Sequence, residues 1–162
     1  MEEARQQYIE DFGLLFEEFG GGRMVGRILG LLMVADAPEL SAEEIADTLK
    51  VSRGSISQST RILIQLGMVR RTSRPGERRD YFQLRPDAWT EATRRRGHEI
   101  ERLIAIFERG ARLTAGGDPR QRRQLEESLV FMQFWKQTLA DMFPAWERER
   151  ERRFGDTGNR NP

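Results

Sequence analysis

Residues 41–85 constrain the fold most tightly, because three kinds of local signal follow one another there without a gap. Ser41-Ala42-Glu43-Glu44 has the capping-box spacing, in which a serine accepts from the backbone N–H three residues on and a glutamate reaches back. The helix it opens runs to about Leu49, with Ile45, Ala46 and Leu49 facing inward. A short turn at Lys50-Val51 follows, and Ser52 is an N-cap for a second helix over about 53–66. Ile56, either Ile62 or Leu63, and Leu66 supply its buried face, and Gly67 ends it. The hydrophobic period then changes. Residues 68–73 read as a strand, Arg74-Pro75-Gly76-Glu77 as a turn, and 78–84 as a second strand containing Tyr81 and Phe82. Two short helices about a tight turn, joined directly to a hairpin, predict a winged helix-turn-helix.

The flanks are helical. Tyr8, Phe12, Leu15 and Phe19, widened by Ile9 and Phe16, form a stripe over 3–19 that the glycines at 20–22 end. Residues 23–35 are apolar nearly all round and belong at the centre, followed by a loop over 36–40. Helical pattern resumes near Trp89, with Ile100, Leu103, Ile104, Phe107 and Ala111 on one face. Gly116-Gly117-Asp118-Pro119 breaks it. Leu125, Leu129, Met132, Trp135 or Lys136, Leu139 and Met142 line a further helix. Pro144 is expected to interrupt it, before the alternating Glu and Arg of 146–154. The last eight residues are expected to be disordered. The fold class is mainly α with a small β-hairpin.

Composition removes several functions. With no cysteine there is no disulfide, thiolate metal site or cysteine nucleophile, and His98 is the single histidine. No cofactor is expected. The longest apolar run, 28–35, is too short to span a membrane, and the acidic, polar start is unlike a signal peptide. A cytoplasmic location with no membrane partner is the expectation. No glycine-rich phosphate loop follows a strand, and Ser57 and Ser59 have no histidine near them in sequence, so catalysis is not expected. Acid pairs such as Glu43-Glu44 read as solvated helix surface.

Charge supplies the partner. Overall the chain carries +1, yet residues 50–79 hold eight basic residues against the single acid Glu77. A basic block in a near-neutral chain suits a polyanion, and double-stranded DNA is the partner expected. The second helix of the pair begins with small uncharged residues, Ser52, Gly54, Ser55, Ser57, Ser59 and Thr60. Such a surface approaches bases and phosphates without desolvating a charge. Gln58 has the geometry for a bidentate pair with adenine, and Arg53 or Arg61 for guanine or phosphate. The candidate DNA contacts are Ser52, Arg53, Ser55, Ser57, Gln58 and Arg61 on the helix, with Arg74, Arg78 and Arg79 on the hairpin. A winged helix serving as a protein-interaction module, without sequence-specific DNA binding, is the alternative.

Three segments also carry a resemblance: "GRILGLL", "SRGSIS" and "PGERRDYFQLRP" with the Trp that follows. Together they resemble the MarR superfamily of bacterial transcriptional regulators, on the branch that includes GbsR-type regulators. Over most of residues 8–142 the chain is similar to members that repress lipid- and drug-exporting pumps. The resemblance implies a homodimeric, ligand-responsive repressor of a pseudo-palindromic operator, with an efflux or transport gene under its control. Many members carry Asp-x-Arg at the wing tip. Gly76-Glu77-Arg78 occupies that slot here, so Arg79 rivals Arg78 as the wing arginine.

The resemblance also implies dimerisation through both chain ends, and the apolar stripes there exceed what a small winged helix buries in its own core. The expected organisation is a dimerisation helix over 1–22, a DNA-binding lobe over 23–88, dimerisation helices over 89–154 and a tail over 155–162. A hydrophobic small-molecule effector is expected between Phe12, Phe16 and Phe19 of the first helix and Ile100, Ile104 and Phe107 of the long C-terminal helix.

Overall fold

The computed structural model describes residues 2–155, which fall into two compact units divided between residues 92 and 93. The centre of the first is the segment that is apolar all round. It forms α2 (Arg23–Val34), in which Val25, Ile28, Leu29, Leu31 and Leu32 are buried. Against it lies α1 (Glu2–Glu18), which contributes Ile9 to the core and packs Phe12 and Phe16 onto it. The approach is close because glycines stand at the crossing. A Cβ at Gly26 would lie 2.1 Å from the Phe12 carbonyl oxygen, and one at Gly30 would lie 3.0 Å from the Phe12 Cβ. Arg27 joins three elements. Its Nε lies 2.9 Å from Glu10 of α1 without hydrogen-bond alignment, and its Nη2 donates to the Leu49 carbonyl at 3.3 Å.

The segment expected to be loop over 36–40 ends instead in a short strand, β1 (Leu40–Ser41), which leads straight into α3 (Ala42–Leu49). Ser41 serves both. It pairs with Tyr81 in the sheet and closes the capping box, accepting from the Glu44 amide at 3.2 Å while Glu44 Oε2 accepts from the Ser41 amide at 2.7 Å. Lys50 ends α3 in the left-handed region, φ 56°, and turns the chain toward α4 (Arg53–Gln65). Ile45, Ala46 and Leu49 face the core as expected, and Leu63 is the fully buried member of the Ile62–Leu63 pair. A Schellman motif closes α4, with Gly67 N–H donating to Ile64 and Met68 N–H to Leu63. Gly67 has φ 76°, which is why a glycine stands there.

The hairpin is β2 (Val69–Ser73) with β3 (Asp80–Leu84), antiparallel. β1 adds to its far edge, giving an antiparallel three-stranded sheet of order β1-β3-β2. Two residues of strand carry too little periodicity to be legible, so the sequence showed a two-stranded wing. β3 also starts later than expected, which leaves Arg78 and Arg79 in the wing turn rather than in a strand.

The helix α5 (Ala88–Leu113) begins in the first unit, where Ala88 is buried, and continues into the second, where it is followed by α6 (Pro119–Phe154). Asp118 caps α6 by accepting from the Arg120 amide at 2.9 Å. The two helices run antiparallel, as three contacts in reversed order show. Gly110 faces Leu125, Lys136 Nζ pairs with Glu101 at 2.9 Å, and the Arg94 guanidinium sits 5.1 Å from the Phe143 ring centroid. Pro144 does not interrupt α6. An interior proline removes one backbone donor, and the turns on either side continue the helix across it. Trp135, not Lys136, takes the half-buried position of that pair. No described residue of α6 is buried, and Val130, Phe131 and Phe134 are well exposed. Of the expected disordered tail, Gly155 caps α6, and 156–162 lie outside the described residues.

Candidate nucleic-acid interface

Which of the small residues at the front of α4 are available follows from helix geometry. Ser59 and Thr60 point inward and are buried; the Thr60 hydroxyl donates to the Ile56 carbonyl at 2.8 Å. They leave the expected contact surface. Ser52 is the N-cap, its Oγ accepting from the Ser55 amide at 3.4 Å. Capping occupies one acceptor site of that hydroxyl, and the residue itself remains exposed. Ser55 is half-buried. Ser57, Gln58 and Arg61 are exposed, and their i, i+1, i+4 spacing puts them on the solvent face of the helix. Among the described residues neither Gln58 nor Arg61 has a side-chain partner, so both remain available to a ligand.

The arginines of the basic block differ sharply in their commitments. Arg74 is anchored. Its Nε donates to Glu39 at 2.8 Å and its guanidinium lies 4.0 Å over the Tyr81 ring. Tyr81 in turn donates its hydroxyl to Glu77, a bond that raises its pKa, with burial adding to the effect. Glu39 also accepts from the Thr72 hydroxyl at 2.6 Å. That bond, and then Arg74, hold its carboxyl below the ordinary range. Arg71 pairs with Asp80 across the hairpin at 3.3 Å. Arg53 and Arg79 both pair with Glu43. Arg78 is exposed at the wing turn and has no ion pair among the described residues. The structure therefore favours Arg78 over Arg79 as the freer wing arginine.

Three acids thus meet the basic block: Glu39, Glu43 and Asp80. All lie just outside residues 50–79, so the local charge count missed them. Glu43 and Glu44 divide their labour: Glu44 caps α3 as its spacing predicts, and Glu43, read as solvated surface, binds arginine. Between α3, α4 and the wing lie two adjoining cavities of about 350 and 360 Å³, both lined by Ala42, Arg53 and Asp80. The second also reaches Ser57, Arg61 and Arg71.

The residues of the expected effector pocket fall in two units. In the first, Phe12 and Phe16 pack against the core and Phe19 is 77% exposed. In the second, Ile100 is buried while Ile104 and Phe107 are half-buried. No group of three or more acids or histidines able to hold a metal ion occurs among the described residues. No described helix is long and apolar enough to cross a membrane.

A helix-turn-helix whose second helix presents Ser57, Gln58 and Arg61, backed by a three-stranded wing with a basic turn, defines a winged helix-turn-helix protein. The family description "MarR family" fits residues 23–80, and "MmpR5-like MarR family transcriptional regulator" fits residues 87–149. The HTH-type transcriptional regulator MmpR5 of Mycobacterium tuberculosis is 34% identical over 135 residues, covering 83% of this chain and 82% of that protein. A crystal structure described as a transcriptional regulator is 32% identical, with a TM-score of 0.82 over 90% of this chain and 99% of that one. The chain belongs to the MarR family. It is a transcriptional regulator and not an enzyme.

Proposed function

We propose that the chain binds a pseudo-palindromic DNA operator as a homodimer, in the cytoplasm, and represses a gene for efflux or transport. The observation that carries this reading is the solvent face of α4. Ser57, Gln58 and Arg61 stand exposed there, Gln58 and Arg61 with no side-chain partner among the described residues. Arg78 supplies an exposed cation at the wing turn. Uncharged hydrogen-bonding groups specify bases, and arginines at the margin fix register on phosphates. Ser52 and Ser55 border this face, and Arg53 and Arg79 reach phosphate once released from Glu43.

The apolar face of α6 supports the dimer. Phe134 is 68% exposed and Phe131 58%, amid Val130, Trp135 and Met132. In a twofold pair each such face covers its copy. A hydrophobic small-molecule effector completes the reading. It releases DNA if it favours a separation of the two α4 helices other than the roughly 34–36 Å that successive major grooves require.

The test is selection of bound fragments from the genome that encodes the chain, followed by footprinting. The result expected is two protected half-sites with centres about 10–10.5 base pairs, or a multiple, apart. Recovery of fragments without a shared sequence would overturn the reading. For the effector, fatty acyl and aromatic compounds are titrated into the protein–operator complex and anisotropy is followed. Retention of DNA at saturating ligand would refute that part.

A further inference from the structure

We propose that Glu43 is a charge brake on DNA binding: its carboxylate competes with DNA phosphates for Arg53 and Arg79. The proposal rests on the DNA-binding reading above. One carboxylate takes a guanidinium on each oxygen. Arg53 Nη2, from the first residue of α4, lies 2.6 Å from Oε1, and Arg79 Nη1, from the wing turn, lies 3.2 Å from Oε2. Glu43 therefore ties the reading helix to the wing at the rim of the cavity it shares with both arginines.

The carboxylate is not needed to cap α3, because Glu44 and Ser41 complete that box. The two arginine side chains are 73% and 64% exposed, so an incoming anion reaches both without unfolding anything. Exposed ion pairs of this kind hold weakly in water. A phosphate backbone, with its condensed counterions to release, displaces a single carboxylate. Glu43 is then left beside the phosphates without its partners and takes up a cation from solution. That uptake offsets one of the counterions the DNA releases. The brake acts on every DNA sequence alike, since both arginines leave Glu43 for phosphates and not for bases.

The experiment measures binding of wild type, Glu43→Gln, Arg79→Ala and Glu43→Gln/Arg79→Ala to operator and random duplexes between roughly 50 and 200 mM salt, the span over which counterion release is read. Glu43→Gln is expected to bind both duplexes tighter, by about fivefold at the low-salt end, the effect of removing one charge a few ångströms from the phosphates. Its log–log salt slope should steepen by about 1, with the operator-to-random ratio unchanged. The gain should shrink when Arg79 is also removed. Glu43→Ser, uncharged and tolerated in a first helical turn, repeats the test should the glutamine variant unfold early. Weaker binding or an unchanged slope in a folded variant would overturn the proposal, leaving Glu43 only to hold its arginines in place. A wild-type protein with no salt-dependent DNA binding would instead remove the DNA-binding reading on which the brake depends.

Discussion

The Phe12 carbonyl oxygen sits where a side chain at Gly26 would begin: an added Cβ would lie 2.1 Å from it and 2.8 Å from the Phe16 Cβ. Neither atom can yield, because one is backbone and the other is fixed to a helix packed on the core. Gly26→Ala must therefore push α1 off α2. Chemical denaturation is expected to show a loss of about 3 kcal/mol, the upper end for overpacking. Gly97→Ala is the control. Gly97 lies in α5 with nothing among the described residues within 4 Å of its added Cβ, so helix propensity alone should stabilise that variant by up to about 1 kcal/mol. Two variants of equal sensitivity would contradict the packing described.

The capping box at Ser41 makes stability pH-dependent with a definite sign. The Ser41 hydroxyl, then its amide, hold the Glu44 carboxyl below its ordinary value. The unfolded chain consequently binds a proton at Glu44 first as pH falls. Stability from this box is complete above the ordinary glutamate range, about pH 4.3, and is lost as pH falls through the lower folded value. Ser41→Ala should cost about 1–2 kcal/mol at neutral pH. Its unfolding midpoint should fall less steeply than that of wild type between about pH 5 and pH 3. Parallel curves would refute the coupling.

Arg74 and Arg78 should separate when each is replaced by alanine. Arg74 is held by Glu39 and Tyr81, so Arg74→Ala is expected to lower the thermal midpoint and loosen the wing, seen as faster amide exchange in β3. Arg78 has no side-chain partner among the described residues, so Arg78→Ala should leave the midpoint unchanged and reduce the salt slope of DNA binding by about 1. A full slope in Arg78→Ala would take the wing turn off the DNA.

The proposed dimer requires that the apolar α6 face be covered. Phe134→Glu should convert the dimer to a monomer in sedimentation at micromolar concentration, with helix content retained. Deleting residues 1–19 is a poorer test, since Ile9 and Phe12 belong to the core of their own unit and their loss would unfold it. A dimer that survives Phe134→Glu places the interface elsewhere.

How legible all this was in the sequence depended on the range of the interaction. Capping boxes, helix stops and turns are local, so Ser41, Ser52, Gly67 and the helices around them stood where their spacing put them. The two-residue strand β1 was not legible, because its pairing partner lies some forty residues on and only tertiary contact defines it. The inward turn of Ser59 and Thr60 was masked by composition. A small polar residue reads as surface unless one counts helical phase from Ile56 and Leu63. The acids that meet the arginines were missed for a similar reason: charge counted along the chain does not see Glu39 and Glu43 arriving from the preceding elements. The apolar stripe of α1 was legible as a stripe, yet its use was not, since Phe12 packs on α2 while Phe19 stays exposed.

On the proposed function the outer face of α4 reads DNA sequence. This is tested most directly by the ratio of dissociation constants for the selected operator and for random duplex at one fixed salt concentration, in wild type and in Gln58→Ala. A wild-type ratio of at least about 10³ is expected. For Gln58→Ala the ratio should narrow by roughly 1–3 kcal/mol, with random-sequence binding unchanged. A wild-type ratio near one, or a Gln58→Ala ratio equal to that of wild type, would contradict that reading.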